Sequence, residues 1–120
     1  MARVSNSSVA AGTALTQDIQ LGGSEWLAVV GVVGNAANAA TAAGDVIIWA
    51  QPYLDDAVNN NLPTLADITM FPDATNVAVL ANSRAQHLVR FRVAGLRKVR
   101  IFVKNNNAAA KPVEANYDLG

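Results

Sequence analysis

The sequence predicts an all-β fold, a two-sheet antiparallel β-sandwich of about eight short strands. Three observations predict it. Short segments rich in Val, Ile and aromatic residues recur along the chain, each bounded by Gly, Asn, Asp or Pro. The one stretch of helix-forming composition, the alanine-rich residues 35–43, is too short to stand alone and carries no large side chain to dock. With 120 residues, 52% of them apolar and none of them Cys, the chain has one core's worth of material. That leaves no route to disulfides or thiolate metal sites.

Residues 1–13 are small and polar up to Gly12 and read as a mobile N-terminal arm, leaving residues 14–120 as the sandwich domain. Residues 15–21 set Leu15, Gln17, Ile19 and Leu21 against Thr16, Asp18 and Gln20, the period-two pattern of a half-buried strand, and stop at Gly22-Gly23. Residues 25–33 are almost continuously apolar, as expected of a strand buried on both faces or lying across the core. Residues 34–44 read as a loop. Residues 45–54 contain Val46-Ile47-Ile48-Trp49 and end at Asp55-Asp56. Residues 65–71 are closed by Pro72-Asp73, and 76–80 form a short segment. Residues 88–94 and 96–104 flank Gly95, residues 105–112 make a polar loop, and 113–119 close the fold. Trp26, Trp49, Tyr53, Phe71, Phe91 and Tyr117 are expected in or beside the core, where aromatics contribute most.

No membrane segment is expected. The N-terminus lacks an apolar run behind a basic start, so it does not read as a secretory signal. The longest uncharged stretch, residues 26–44, is interrupted by glycine and asparagine well short of the roughly 20 apolar residues of a span.

Charge is the most informative feature. The net charge is zero, yet the signs are segregated. Residues 1–73 hold seven acids and one basic residue, Arg3, whereas residues 74–113 hold eight basic residues and no acid. Such asymmetry raises the question of a charged partner. In residues 89–93, Arg90 and Arg92 oppose Val89, Phe91 and Val93. In residues 98–104, Lys98, Arg100, Phe102 and Lys104 oppose Val99, Ile101 and Val103. If the two strands are neighbours, these six residues form a basic outer face with one exposed aromatic, a candidate partner-binding surface. Three readings stand: the arginines pair with acids inside the domain, the basic face meets another subunit or another protein, or it holds a nucleic acid. Protein contact outranks nucleic acid, because only Phe102 interleaves with the basic residues and the domain is neutral.

Patterns for catalysis and cofactors are weak. His87 is the only histidine, near Ser83, but no Gly-x-Ser-x-Gly elbow accompanies them. Asp55, Asp56, Asp67 and Asp73 lack the spacing of a calcium loop. Glu25 and Glu114 are the only glutamates, a poor basis for a glycosidase carboxylate pair. Glycines 31 and 34 are followed by no lysine that would complete a phosphate loop. No catalytic residue, cofactor or metal is expected.

The second half resembles small β-sandwich proteins of tailed-bacteriophage particles. The residues that carry this are Leu88-Val89-Arg90-Phe91-Arg92-Val93-Ala94-Gly95, then Leu96-Arg97-Lys98-Val99-Arg100-Ile101-Phe102-Val103-Lys104-Asn105, a polar loop and a closing strand through Tyr117. Glu25-Trp26-Leu27-Ala28-Val29-Val30 after a Gly-Gly turn agrees in style. The resemblance is most like capsid cement (decoration) proteins. It implies a jelly-roll-like sandwich, no enzymatic activity and a homo-oligomer, typically a trimer. It further implies a place on the phage head surface after synthesis in the host cytoplasm, with the major capsid protein or another virion protein as partner. The alternative is a receptor-binding, glycan-binding or adaptor module of a tail or fibre.

Overall fold

The computed structural model describes residues 2–40, 45–52, 72–76 and 84–120. They form eight strands: β1 (Ala2–Val9), β2 (Ala14–Gln20), β3 (Trp26–Val33), β4 (Asp45–Pro52), β5 (Pro72–Asn76), β6 (Ala85–Arg92), β7 (Lys98–Asn105) and β8 (Lys111–Leu119). One sheet has the order β1-β8-β3-β6 and the other β2-β7-β4-β5, every pairing being antiparallel. This is the double-sheet jelly roll, in which two Greek keys wind the chain back and forth between the sheets. The expected all-β, jelly-roll-like sandwich is therefore the fold observed. Residues 34–40 form the expected loop, with Asn35 Oδ1 accepting hydrogen bonds from the Ala37 and Asn38 amides.

Three expectations change. The segment read as a mobile arm is strand β1, paired with β8 from Ala2↔Tyr117 to Asn6↔Val113 and again at Val9↔Lys111 across a bulge. Its side chains are nearly all exposed, Val9 being the buried one. Its order therefore comes from the backbone ladder, which composition does not reveal. Pro72-Asp73, read as a turn, opens β5 at the edge of its sheet, the place where a proline costs no ladder hydrogen bond. The segment proposed at 65–71 lies outside the described residues, as do Tyr53, Phe71 and most of the segment proposed at 76–80.

The third change concerns β6 and β7. They are consecutive in the chain but lie in opposite sheets. Between them the chain turns a corner in which the Leu96 amide donates to the Val93 carbonyl at 2.9 Å, Gly95 takes φ 84° and Val93 is fully buried. The corner is held from both sides: the Val93 amide donates to the Glu25 carbonyl and the Leu21 amide to the Arg97 carbonyl.

The core between the sheets is built from alternate residues of each strand, among them Leu27, Val29, Ile48, Val89, Val99 and Ile101. At Gly31 side chains of the facing sheet press directly on the β3 backbone. A Cβ there would meet Ile48 Cδ1 at 2.8 Å and Val103 Cγ1 at 2.9 Å. Gly31 is thus a spacing residue that lets the two facing side chains fill the space above β3.

A second organising point is Asn105, fully buried at the end of β7. Its Nδ2 donates to the carbonyls of Val9 and Ala109, both at 2.9 Å. Its Oδ1 accepts from the backbone amide and the side-chain amide of Asn107, both at 3.0 Å. Its own amide donates to the Thr13 carbonyl, and its carbonyl accepts from Gly12. One residue thereby ties the end of β1 and the β7–β8 loop through its side chain and the start of β2 through its backbone. Residues 105–112 are not the ordinary polar loop of the sequence reading, since Asn107 and Lys111 are buried with Asn105.

Two stability outcomes follow. Gly31→Ala should lower unfolding free energy by about 1–3 kcal/mol through overpacking, seen as an earlier urea midpoint with an unchanged slope. Asn105→Ala should cost about 2–4 kcal/mol, because it strands buried carbonyls and an amide rather than deleting one bond cleanly.

Candidate functional site

The six residues expected to make one basic face are divided between two surfaces. Arg90 and Arg92 lie on β6, an edge strand of the β1-β8-β3-β6 sheet, while Lys98, Arg100, Phe102 and Lys104 lie on β7, inside the other sheet. The condition for a continuous basic face, that β6 and β7 be neighbours, is not met.

On β7 two of the outward residues, Arg100 and Phe102, are already engaged. Arg100 sits opposite Asp18 on β2, its Nε donating to Oδ1 at 2.7 Å and its Nη2 to Oδ2 at 3.2 Å, a two-pronged ion pair. Opposite on β4 is the buried Gln51. Phe102 points away from the sandwich core, as alternation requires, but it is only 1% exposed. Its ring stacks on cross-strand Trp49, with centroids 4.8 Å apart and planes 9° from parallel. It is therefore not an exposed aromatic. The stacking partner lies on a strand far away in sequence, which alternation within one strand cannot reveal.

On β6 the arginines border a different kind of surface. The antiparallel register aligns the outward residues of the sheet in rows: Trp26 with Arg92, Ala28 with Arg90 and Asp118, Val30 with Leu88 and Asn116, Val32 with Gln86 and Glu114. Down the middle runs an apolar stripe, Ala28 and Val30 half-exposed on β3 and Leu88 56% exposed on β6. Charged groups flank it and are mostly neutralised in place. Arg92 pairs with Glu25 at 3.3 Å, Arg3 pairs with Glu114, and the Arg90 guanidinium lies 4.8 Å over the Trp26 ring. The result is an apolar strip inside a rim of paired charges, the layout of a protein-contact surface rather than of an electrostatic one.

Sequence reasoning missed Ala28, Val30 and Leu88. The signal was present, in the unbroken apolar run of residues 25–33. In an antiparallel sandwich a strand with one solvent-facing side alternates apolar and polar residues. A run that does not alternate marks an outer face that is apolar as well. The run was expected to be buried on both faces or to lie across the core; its inner side does face the core, and its outer side proves only half-covered over residues 26–30.

Among the described residues other chemistry finds no geometry, and Asp55, Asp56 and Asp67 lie outside them. Ser83 lies outside the described residues, and His87 points to the inner side of β6, opposite Gly31. Among the described residues, no three His, Cys, Asp or Glu side chains are grouped to hold a metal ion. No helix of the described residues is long and apolar enough to cross a membrane.

Compared with protein-family models and with curated proteins, the chain matches none. Among solved structures it is similar to a family GH115 4-O-methyl-α-glucuronidase, BtGH115A, with specificity for decorated arabinogalactans. The TM-score is 0.53 at 10% identity, and the match covers 91% of this chain but 14% of that enzyme. The likeness is one of fold alone, a jelly-roll sandwich corresponding to a small part of a large protein. The chain is also similar to the SPBc2 prophage-derived protein YomS, over 99% of this chain and 94% of that one, at 15% identity. The TM-score there is 0.40, too low to carry an argument.

The ion pairs made by Arg100 and Arg92 should differ in weight. Asp18→Asn, which breaks a half-buried two-pronged pair, should cost about 1–2 kcal/mol in urea unfolding. Glu25→Gln, which breaks a pair whose side chains are 67% and 56% exposed, should cost less than about 0.5 kcal/mol and lose even that in high salt.

Proposed function

We propose that this protein is a non-enzymatic virion structural protein, a capsid cement (decoration) protein that docks on the phage head through the outer face of the β1-β8-β3-β6 sheet. The observation that carries this reading is the apolar strip of Ala28, Val30 and Leu88 within a rim of paired charges. A sandwich core has no use for an apolar outer face, whereas an interface does. The jelly-roll topology supports the reading, since that architecture recurs in viral shells. The resemblance of residues 88–105 to phage cement proteins points the same way. The partner is the major capsid protein or a neighbouring virion protein, and the chain acts as a homotrimer spanning subunit junctions. Stabilisation then follows from mass action: a protein that binds only the assembled shell lowers the free energy of that state.

In this reading Arg90 and Arg92 serve as rim residues, and affinity comes from the strip between them. Val30→Glu with Leu88→Glu should leave the fold intact, because both side chains lie outside the core, and should abolish rebinding to shells stripped of the protein. Arg90→Gln should weaken rebinding by less than about tenfold, the scale of a rim charge. Rebinding at full occupancy by the Val30→Glu/Leu88→Glu protein would refute the docking face. Light scattering tests the oligomer: a mass three times the 12.5 kDa of one chain is expected, and a monomer on and off the shell would refute the trimer.

A further inference from the structure

At the end of the same sheet, where the apolar strip stops, the surface opens into a groove of about 580 Å³, within the range of small-ligand sites. One wall is strand β1, contributing Ser5, Asn6 and Ser7. Asn35 and Ala36 of the β3–β4 loop also line it, and Val32, Pro112 and Val113 supply apolar lining. Three charged residues line it: Arg3, Glu114 and Arg84.

Arg3 and Glu114 neutralise each other. Among the described residues Arg84 has no such partner. Its Nε is sealed from solvent and makes no hydrogen bond, and among the described residues no carboxylate pairs with its guanidinium. A half-buried arginine with an orphaned N–H is an arrangement that stability alone disfavours. The described lining residues of the groove sum to a formal charge of +1, which matches one carboxylate and falls short of a phosphate dianion. A guanidinium meets a carboxylate in a two-pronged fork, and the hydroxyl and amide groups of Ser5, Ser7 and Asn35 are suited to a ligand rich in hydroxyls. The groove lacks the series of apolar side-chain pockets by which a peptide is read.

We infer that this groove binds a sugar acid, with the carboxylate on Arg84 and the ring hydroxyls along the Ser5–Ser7 wall. The inference is independent of shell docking. It makes the protein a carbohydrate-binding module in addition to whatever its apolar strip contacts.

The test is a titration of the full chain with an oligogalacturonate and with the matching neutral galactose oligosaccharide, followed by amide and Arg Nε–Hε NMR shifts. The acidic sugar should give saturable shifts confined to Ser5, Ser7, Asn35 and Arg84, with the neutral one about tenfold or more weaker, the factor expected of a charge-assisted hydrogen bond. Arg84→Gln should erase that preference while leaving the rest of the spectrum in place. Should Arg84→Gln fail to fold, Ser5→Ala with Ser7→Ala should weaken both sugars. No shifts, equal binding of the two sugars, unchanged preference in Arg84→Gln, or tighter binding of a Glu-rich peptide would each overturn the inference.

Discussion

The buried amide of Asn105 is the interaction on which the arrangement of the strands depends. A jelly roll must bring chain segments from both ends of the sequence to one corner, and their backbone groups cannot all pair in ladders. Here the corner collects the end of β1, the start of β2 and the loop before β8, and one side chain satisfies carbonyls from the first and last of them. An asparagine suits this position because it offers two donors and an acceptor with two lone pairs on a short stem. All four capacities are used. A buried polar group so fully matched fixes register as well as adding stability, since a one-residue slip would leave it with nothing to bond.

Gly31 imposes the complementary constraint from the middle of the sandwich. Asn105 sets where the strands start and stop, and Gly31 sets how closely the sheets pack, by leaving room for Ile48 and Val103 over the centre of β3. With the inner face of β3 committed to that contact, its outer residues are free of core duty. Their apolar character is then the trait that calls for an explanation outside the fold.

Much of this was legible in the sequence, and what was not has identifiable causes. β2, β3, β4, β7 and β8 announced themselves by β-branched runs ending at turn residues, and their bounds fell within a few positions of those observed. β1 was illegible because its order comes from backbone pairing with a partner more than a hundred residues away, not from any side chain it carries. The basic face dissolved for a related reason. Alternation correctly assigned each of Arg90, Arg92, Lys98 and Arg100 to an outer face, but only the corner at Gly95 decides whether two successive strands share a sheet. A glycine at positive φ serves a hairpin and a sheet-to-sheet crossing equally well. Internal pairing of the arginines, one of the three readings open from sequence, holds for Arg92 with Glu25 and Arg100 with Asp18. The groove around Arg84 left no local trace, since its walls come from four separate stretches of chain.

The pairing of β1 with β8 sets Ala2 beside Tyr117, so the first and last strands end at the same place. A pull applied between those two ends would act across the ladder, at right angles to the strands. It would part the hydrogen bonds one after another, like a zip, instead of loading them together. Tension carried through the termini would therefore peel β1 away at low force. Tension carried through the sheet faces would have to overcome the whole interlocked core at once. As a mechanical element, this sandwich is strong when gripped by its sides and weak when gripped by its tails.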